Sequence, residues 1–442
     1  MYLEKVIRRG VYNRRIEIHG KYVKELLVDI ICQLILFYML SYSSISGDQQ
    51  ILNVVIALSV VYCVFADKES IFCYVVGLSI FDYSFNINGM NATPIITCLL
   101  LIKLFFHTGS KLRISRNSLI VGILIFACEL IGDRNYGSAG EIFLTLVNVG
   151  LFIVVISNPK TLNLDHIKAM ILFAIPVACA IYCIVMAYGN LNAFFELMFH
   201  SAGLYRFGIG KANVQGGAMS LPLYALMMLS MSLSYFLLSE RKRWLDIMLI
   251  FINAIFLLFA VLTISRSLFL GLAGVVMALL LGNKKHKQSL LFKISFVFVV
   301  VVIVVLVFWG DVVDQAFSLL INRIATDTGG AGRTDVWTTA LGFLADHPLA
   351  ILIGNGASIY PSLSDGLGAG CHNLWLDILM SWGLIGFVGI IFLIRRFFKK
   401  IAKMYGKADS MSYITLFAYV TFSMTALRCN SLKTWSFLLL RC

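Results

Sequence analysis

The sequence predicts an all-α polytopic membrane protein, and three observations carry that expectation. Hydrophobic residues make up 60% of the 442 positions and charged residues only 13%, with a mean hydropathy of +0.88. A soluble domain needs a polar exterior and does not tolerate that balance. Apolar stretches near the ~20 residues that cross a bilayer recur along the chain. Lysine and arginine gather in short clusters between those stretches, alternating from loop to loop.

Thirteen candidate spans follow, at 26–44, 50–66, 70–86, 91–107, 118–132, 140–157, 168–188, 213–239, 244–264, 267–282, 292–309, 372–394 and 411–427. This fits about 12–14 transmembrane helices in one integral membrane domain, residues 1–442, with the shorter spans tilted or partly re-entrant. Residues 1–25 are polar and basic, and the first apolar run is long enough to stay in the membrane, so no cleavable signal peptide is expected. The net charge of +13 lies in inter-span clusters, which read as topology signals and not as a nucleic-acid surface. The ten cysteines have no metal or redox spacing; most lie in apolar runs, where cysteine acts as a small hydrophobe.

With the N-terminus inside, 27 Lys and Arg fall on inner segments, six on outer segments and three in the tail. The inner clusters include Arg8–Arg15, Lys103–Arg116, Arg241–Arg243, Lys284–Lys293 and Arg395–Lys407. Two outer segments then stand out, 189–212 and the far longer 310–371. Loops of that length usually carry function. The longer one has glycine-rich stretches at 328–332, 353–356 and 366–370 around a predicted amphipathic helix at 334–345. On that helix Trp337, Leu341, Phe343 and Leu344 either lie on the membrane surface or cap the bundle.

Outer basic residues are scarce, so each is informative. Arg266, in Thr263-Ile264-Ser265-Arg266-Ser267, joins two spans with almost no loop. It either snorkels to headgroups or holds a phosphate, which the guanidinium fork suits. Arg333 follows Gly329-Gly330-Ala331-Gly332 and precedes the amphipathic helix. Glycines permit close backbone approach to an anion and the helix N-terminus favours one; otherwise Thr334 caps the helix and the arginine is solvated. His372 and Asn373 open the twelfth span: a histidine there can act as a base near neutral pH, or serve as an interfacial cap. Arg206, Lys211, Asn213 and Gln215 gather before the eighth span, either as a sugar- or phosphate-binding group or as a solvated loop. Asp82, Glu129 and Glu141 read as proton or ion residues, or as interfacial acids facing Arg134. No Asp-x-Asp pair or His/Cys cluster indicates a catalytic metal.

Read in order, these segments resemble the O-antigen polymerase and O-antigen ligase superfamily of bacterial envelope glycosyltransferases. The stretch Arg206-Phe207-Gly208 … Ala212-Asn213-Val214-Gln215-Gly216-Gly217 leads into a span, and Ser265-Arg266 follows the next. The long outer loop carries Gly332-Arg333-Thr334-Asp335-Val336-Trp337, Asp346-His347-Pro348 and Gly354-Asn355-Gly356. It closes on His372-Asn373-Leu374-Trp375-Leu376 and then Trp382-Gly383-Leu384-Ile385-Gly386. The resemblance covers about 200–394; the first half matches only in being polytopic. Lys211-Ala212-Asn213 stands where the family often has Asn-Pro-Asn.

The resemblance implies a GT-C-like enzyme of the bacterial cytoplasmic membrane acting on undecaprenyl-diphosphate-linked glycans at the outer leaflet, without a metal or other cofactor. It implies that Arg266 and Arg333 hold the diphosphate leaving group and that His372 orients or deprotonates the acceptor hydroxyl. Arg206, Lys211, Asn213 and Asn373 would bind substrate. A chain-length regulator and a flippase are possible partners, and no nucleic acid is. Polymerisation of O-antigen or capsule repeat units is favoured over ligation of finished polymer. A lipid-linked oligosaccharide flippase would show deep charges and paired halves; a scaffold would leave the outer Arg266, Arg333 and His372 unexplained.

Overall fold

The computed structural model describes residues 24–43, 46–78, 85–87, 90–108, 114–133, 139–158, 333–356, 371 and 373–405, with isolated positions between 226 and 321. Its elements run α1 (Lys24–Ser43), α2 (Gln49–Phe65), α3 (Lys68–Leu78), β1 (Asn86–Ile87), β2 (Met90–Asn91), α4 (Thr93–Thr108), α5 (Arg116–Asp133) and α6 (Ala139–Ser157). After the undescribed middle come α7 (Arg333–Asp346), α8 (Pro348–Ile353) and α9 (Leu374–Tyr405). Helices therefore occupy the first, second, fourth, fifth, sixth and twelfth predicted spans, and the predicted loop helix. The spans at 168–188, 213–239, 244–264, 267–282, 292–309 and 411–427 lie outside the described residues, apart from isolated positions.

Within the third predicted span the described helix is α3, Lys68–Leu78, and past its predicted end Asn86 pairs with Asn91 and Ile87 with Met90 in a small antiparallel hairpin. The intervening sequence is Asn88-Gly89, the strongest two-residue hairpin signal. From Glu69 to Leu78 every residue of α3 is buried.

Large apolar side chains line the outside of the described helices as well as their core, unlike a soluble bundle. Leu119, Ile120, Ile123, Leu124, Leu130 and Ile131 on α5, and Val54, Leu58, Val61, Val64 and Phe65 on α2, are exposed. Gln33, Ser59, Ser70, Thr97, Glu129 and Ser381 are fully buried. Apolar residues outside and polar residues inside fit a bundle surrounded by hydrocarbon. Helices α1 and Leu374–Arg396 of α9 are each long and apolar enough to cross a bilayer. The buried polar groups link helices: Gln33 donates to the Tyr62 hydroxyl (3.0 Å) and to the Ser70 carbonyl (2.7 Å), and Ser70 donates to Asp29 (2.6 Å). The Lys103 ammonium donates to the carbonyl of Ala66, so the C-terminal ends of α2 and α4 share one end of the bundle.

Helix α5 is the common partner of α6 and α9. Thr145 and Glu129 meet near one end of the α5–α6 pair, and Gly122 faces Ile153 further along. Trp382 meets Glu129, and Gly389 faces Val121. In both pairs the numbers run in opposite directions. Helix α5 is thus antiparallel to α6 and to α9, so α6 and α9 point the same way.

Candidate active site

Helix α9 is broken at Gly383, whose φ of 61° and ψ of −163° belong to a region essentially reserved for glycine. A break frees the carbonyls that the following turn would have bonded. Here the amide of Asn355 donates to the Met380 carbonyl and that of Gly356 to the Ser381 carbonyl, each at 2.9 Å. This is how irregular backbone survives in a buried setting: another segment takes over its hydrogen bonds. The approach leaves no room for side chains. A Cβ on Gly383 would lie 2.4 Å from the backbone of Leu352, and one on Gly354, at φ 75°, would lie 2.2 Å from the Ser381 carbonyl. A Cβ on Gly132, at the end of α5, would lie 2.1 Å from the Gly356 nitrogen. Gly354-Asn355-Gly356 and Trp382-Gly383 therefore form a backbone joint between the long loop, α5 and α9.

Around that joint α7 and α8 form a small head on the first half of α9. Ala340, Leu344, Ala350, Cys371 and Met380 make its core, flanked by Val336, Trp337, Phe343, Leu376 and Leu379. Trp337, Phe343 and Leu344 thus cap the bundle, while Leu341 is exposed, as are Leu349 and Leu352 of α8. Asp346-His347-Pro348 is the corner between the two helices: the His347 amide donates to Phe343, its ring stacks on Phe343 at 4.3 Å, and Pro348 opens α8. Before the break in α9 no residue from 373 on is exposed; after it Leu384, Val388, Ile391 and Phe392 are.

The N-terminus of α9 is held in detail. Asn373 is its cap: its Oδ1 accepts from the amides of Trp375 (3.0 Å) and Leu376 (3.3 Å), and its carbonyl accepts from the Asp377 amide (2.8 Å). Two residues earlier, the Cys371 amide donates to Asp377 Oδ1 at 2.8 Å. The Cys371 carbonyl accepts from Trp337 Nε1, also at 2.8 Å. Cys371 is fully buried and Asp377 nearly so.

Of the predicted site residues, Asn373 is placed as this cap, with its side-chain oxygen engaged by the helix. Arg333 is the first residue of α7; the expected capping residue Thr334 lies one position inside the helix. His372, Arg266, Arg206, Lys211 and Asn213 lie outside the described residues, as do Asp82 and Arg134. Among the isolated described positions, a Cβ on Gly271 would lie 2.1 Å from Leu226 Cδ1, so these two residues pack together. Glu129 is described, whereas its expected partner Arg134 lies outside the described residues. Glu129 is fully buried on the face of α5 turned to its partners, accepting from Trp382 Nε1 at 2.5 Å and from the Thr145 hydroxyl at 3.1 Å. The reading from sequence missed Asp377, an acid in the first turn of α9, and the pairing of Trp337.

Residues 251–391 match the family described as O-Antigen ligase, a range that includes Arg266, the α7–α8 head, His372 and the break in α9. An O-antigen polymerase of Salmonella muenchen is 25% identical over 319 residues, covering 67% of this chain and 76% of that protein. The chain is thus similar to O-antigen ligases over residues 251–391 and to an O-antigen polymerase over most of its length. The ordered motifs quoted from the sequence fall largely within the matched range, and the polymerase match covers more of the chain than the ligase-family match does. No solved structure shows a significant match.

Proposed function

We propose that this protein is a member of the O-antigen polymerase and ligase superfamily, a glycosyltransferase that polymerises lipid-linked polysaccharide repeat units of the O-antigen or capsule type. Its donor is an undecaprenyl-diphosphate-linked glycan at the outer leaflet of the bacterial cytoplasmic membrane. The observation that carries the reading is the Trp337–Cys371 hydrogen bond. It fastens the helix that begins at Arg333 to the peptide that precedes His372, which supports reading the two residues as parts of one site. The similarity to an O-antigen polymerase supports polymerisation over other transfers.

The chemistry is a single displacement with inversion. The acceptor hydroxyl oxygen attacks the anomeric carbon from the face opposite the diphosphate. The bond from that carbon to the diphosphate oxygen breaks, and undecaprenyl diphosphate leaves with the electron pair. Arg266 and Arg333 bind the diphosphate and stabilise the charge it gains. His372 takes the hydroxyl proton, a role typically worth about 10²–10⁴ in rate. Arg206, Lys211, Asn213 and the amide group of Asn373 bind sugar hydroxyls or phosphate. The step requires no metal or other cofactor.

The topology of the reading is multi-pass, with a cytoplasmic N-terminus and the site on the outer face. Parallel α6 and α9 support it, since an odd number of crossings must separate them and the sequence supplies five between Ser157 and Leu374. A chain-length regulator and a flippase are the expected partners. The match to the ligase family favours a second reading, transfer of finished polymer to a lipid or surface acceptor by the same donor chemistry. Deletion in the native host followed by glycan analysis separates the two. A surface glycan cut to one repeat unit means polymerase; full-length polymer retained on its lipid carrier means ligase.

A further inference from the structure

We propose that α8 is seated in the hydrocarbon of the bilayer, its outward face against lipid acyl chains, while α7 stays on the aqueous side of the same corner. The two helices of the head turn opposite kinds of surface outward. On α7 the exposed face carries Thr334, Asp335, Thr338, Thr339 and Asp346, with Leu341 the large apolar exception. On α8 it carries Leu349, Ile351 and Leu352, and Leu349 is 74% exposed. Asp346 and His347, both exposed, stand where the surface changes. A contiguous apolar face marks a site of contact with a partner or a membrane, and a polar corner beside it suits the headgroup layer. This placement rests on the bundle being membrane-embedded and does not depend on the reaction proposed above.

Depth and backbone both favour lipid as the occupant. Trp382 meets Glu129, and Gly132 abuts Gly356, so the end of α5 and the break in α9 stand at one level. Leu352 stands there too, since a Cβ on Gly383 would strike its backbone at 2.4 Å. At that level α9 has already run about 12 Å from Leu374, at about 1.5 Å per residue. Its neighbours there, Leu130 and Ile131 on α5 and Leu384 on α9, are exposed as well, so the outward face of α8 continues the apolar belt of the bundle. Hydrocarbon tolerates irregular backbone only where protein satisfies it. The exit from α8 meets that demand: Gly354 donates to the Ala350 carbonyl, Asn355 to Met380 and Gly356 to Ser381, each at 2.9 Å. Its entry is Pro348, which brings no amide proton for hydrocarbon to leave unpaired. A short helix exposed to water needs none of these provisions.

The test is photo-crosslinking of the full-length protein in host membranes. A diazirine amino acid replaces, one at a time, Leu349 and Leu352 on α8, Thr338 on the exposed face of α7, and Val388 on the exposed apolar face of α9. After irradiation the protein is purified and its adducts are identified by mass. The expected result is that residues 349 and 352 give mainly phospholipid adducts, as 388 does, while 338 gives mainly water adducts. Leu349 is 74% exposed, so replacing it disturbs little packing, and position 349 alone decides the outcome if the 352 variant does not reach the membrane. Mainly water adducts at 349 beside phospholipid adducts at 388 overturn the insertion of α8. Cross-links from 349 to a second copy, to another protein or to another segment of the same chain give the face a different occupant and also overturn it. Phospholipid adducts at 338 as well as 349 place the whole head in lipid and overturn the division at the corner. Water adducts at both 349 and 388 remove the membrane setting on which the placement rests.

Discussion

Trp337 Nε1 and the carbonyl oxygen of Cys371 lie 2.8 Å apart, joining residues 34 positions distant in sequence. One partner stands a turn beyond Arg333 and the other directly before His372. The bond ties α7 to the start of α9, and with α8 the two helices close a head there.

The arginines are expected to act through geometry as well as charge. A diphosphate accepts paired hydrogen bonds from a planar guanidinium, whereas lysine offers a point charge. Arg266→Lys and Arg333→Lys should each lose most polymer at matched protein levels. Near-normal polymer in both variants would reduce the two residues to membrane-surface anchors.

The break in α9 should be intolerant of any side chain. Gly383→Ala places a methyl group 2.4 Å from the Leu352 backbone at a φ of 61°, and backbone strain alone is worth about 1–3 kcal/mol. The variant should melt several degrees lower in detergent than the wild type, followed by fluorescence-detected size exclusion. An unchanged melting temperature would show that the joint with Gly354–Gly356 is not a point of packing.

Glu129 should matter as a hydrogen-bond acceptor. Its removal leaves the buried Trp382 indole and Thr145 hydroxyl without their acceptor, at about 1–3 kcal/mol for each orphaned group. Glu129→Ala should lower membrane yield and thermal stability, and Glu129→Gln, which retains one acceptor oxygen, should recover much of the loss. Equal behaviour of the two variants, whether both stable or both lost, contradicts this account.

Sidedness can be read by chemical labelling. Residue 362 lies in the loop predicted to face outward, and Cys371 is fully buried. In a background otherwise lacking reactive thiols, Ser362→Cys should react with an impermeant maleimide on intact cells. Labelling confined to lysed cells would invert the topology.

Most described helices were legible in the sequence because hydrocarbon imposes a simple rule of length and apolarity, read directly from runs such as 118–132 and 140–157. The hairpin at Asn86–Asn91 was not, because its Asn88-Gly89 turn signal lies in the short connection between two apolar runs. Helix α7 was legible from its periodicity, and the capping role of Asn373 from its residue type and place. Asp377 was not, because nothing in a single sequence tells whether an acid in a first turn binds water or a backbone amide six residues back. The packing of Glu129 was not legible for a related reason: distance from a span end gives depth, and only helix packing decides which face turns inward. The Gly354-Asn355-Gly356 and Trp382-Gly383 motifs were visible, yet their meeting depends on a chain reversal that spacing does not encode.

The central claim is glycosyl transfer with His372 as base. It is tested most directly by transfer from a defined undecaprenyl-diphosphate glycan, comparing purified wild type with His372→Ala, each with and without chelator. The account predicts that His372→Ala reaches normal membrane levels, because Asn373 caps α9 without it, and still binds donor. Turnover should fall by about 10²–10⁴, the usual worth of a general base, while the wild type keeps its activity in chelator. Full turnover by His372→Ala, or loss of wild-type activity on chelation, would contradict it.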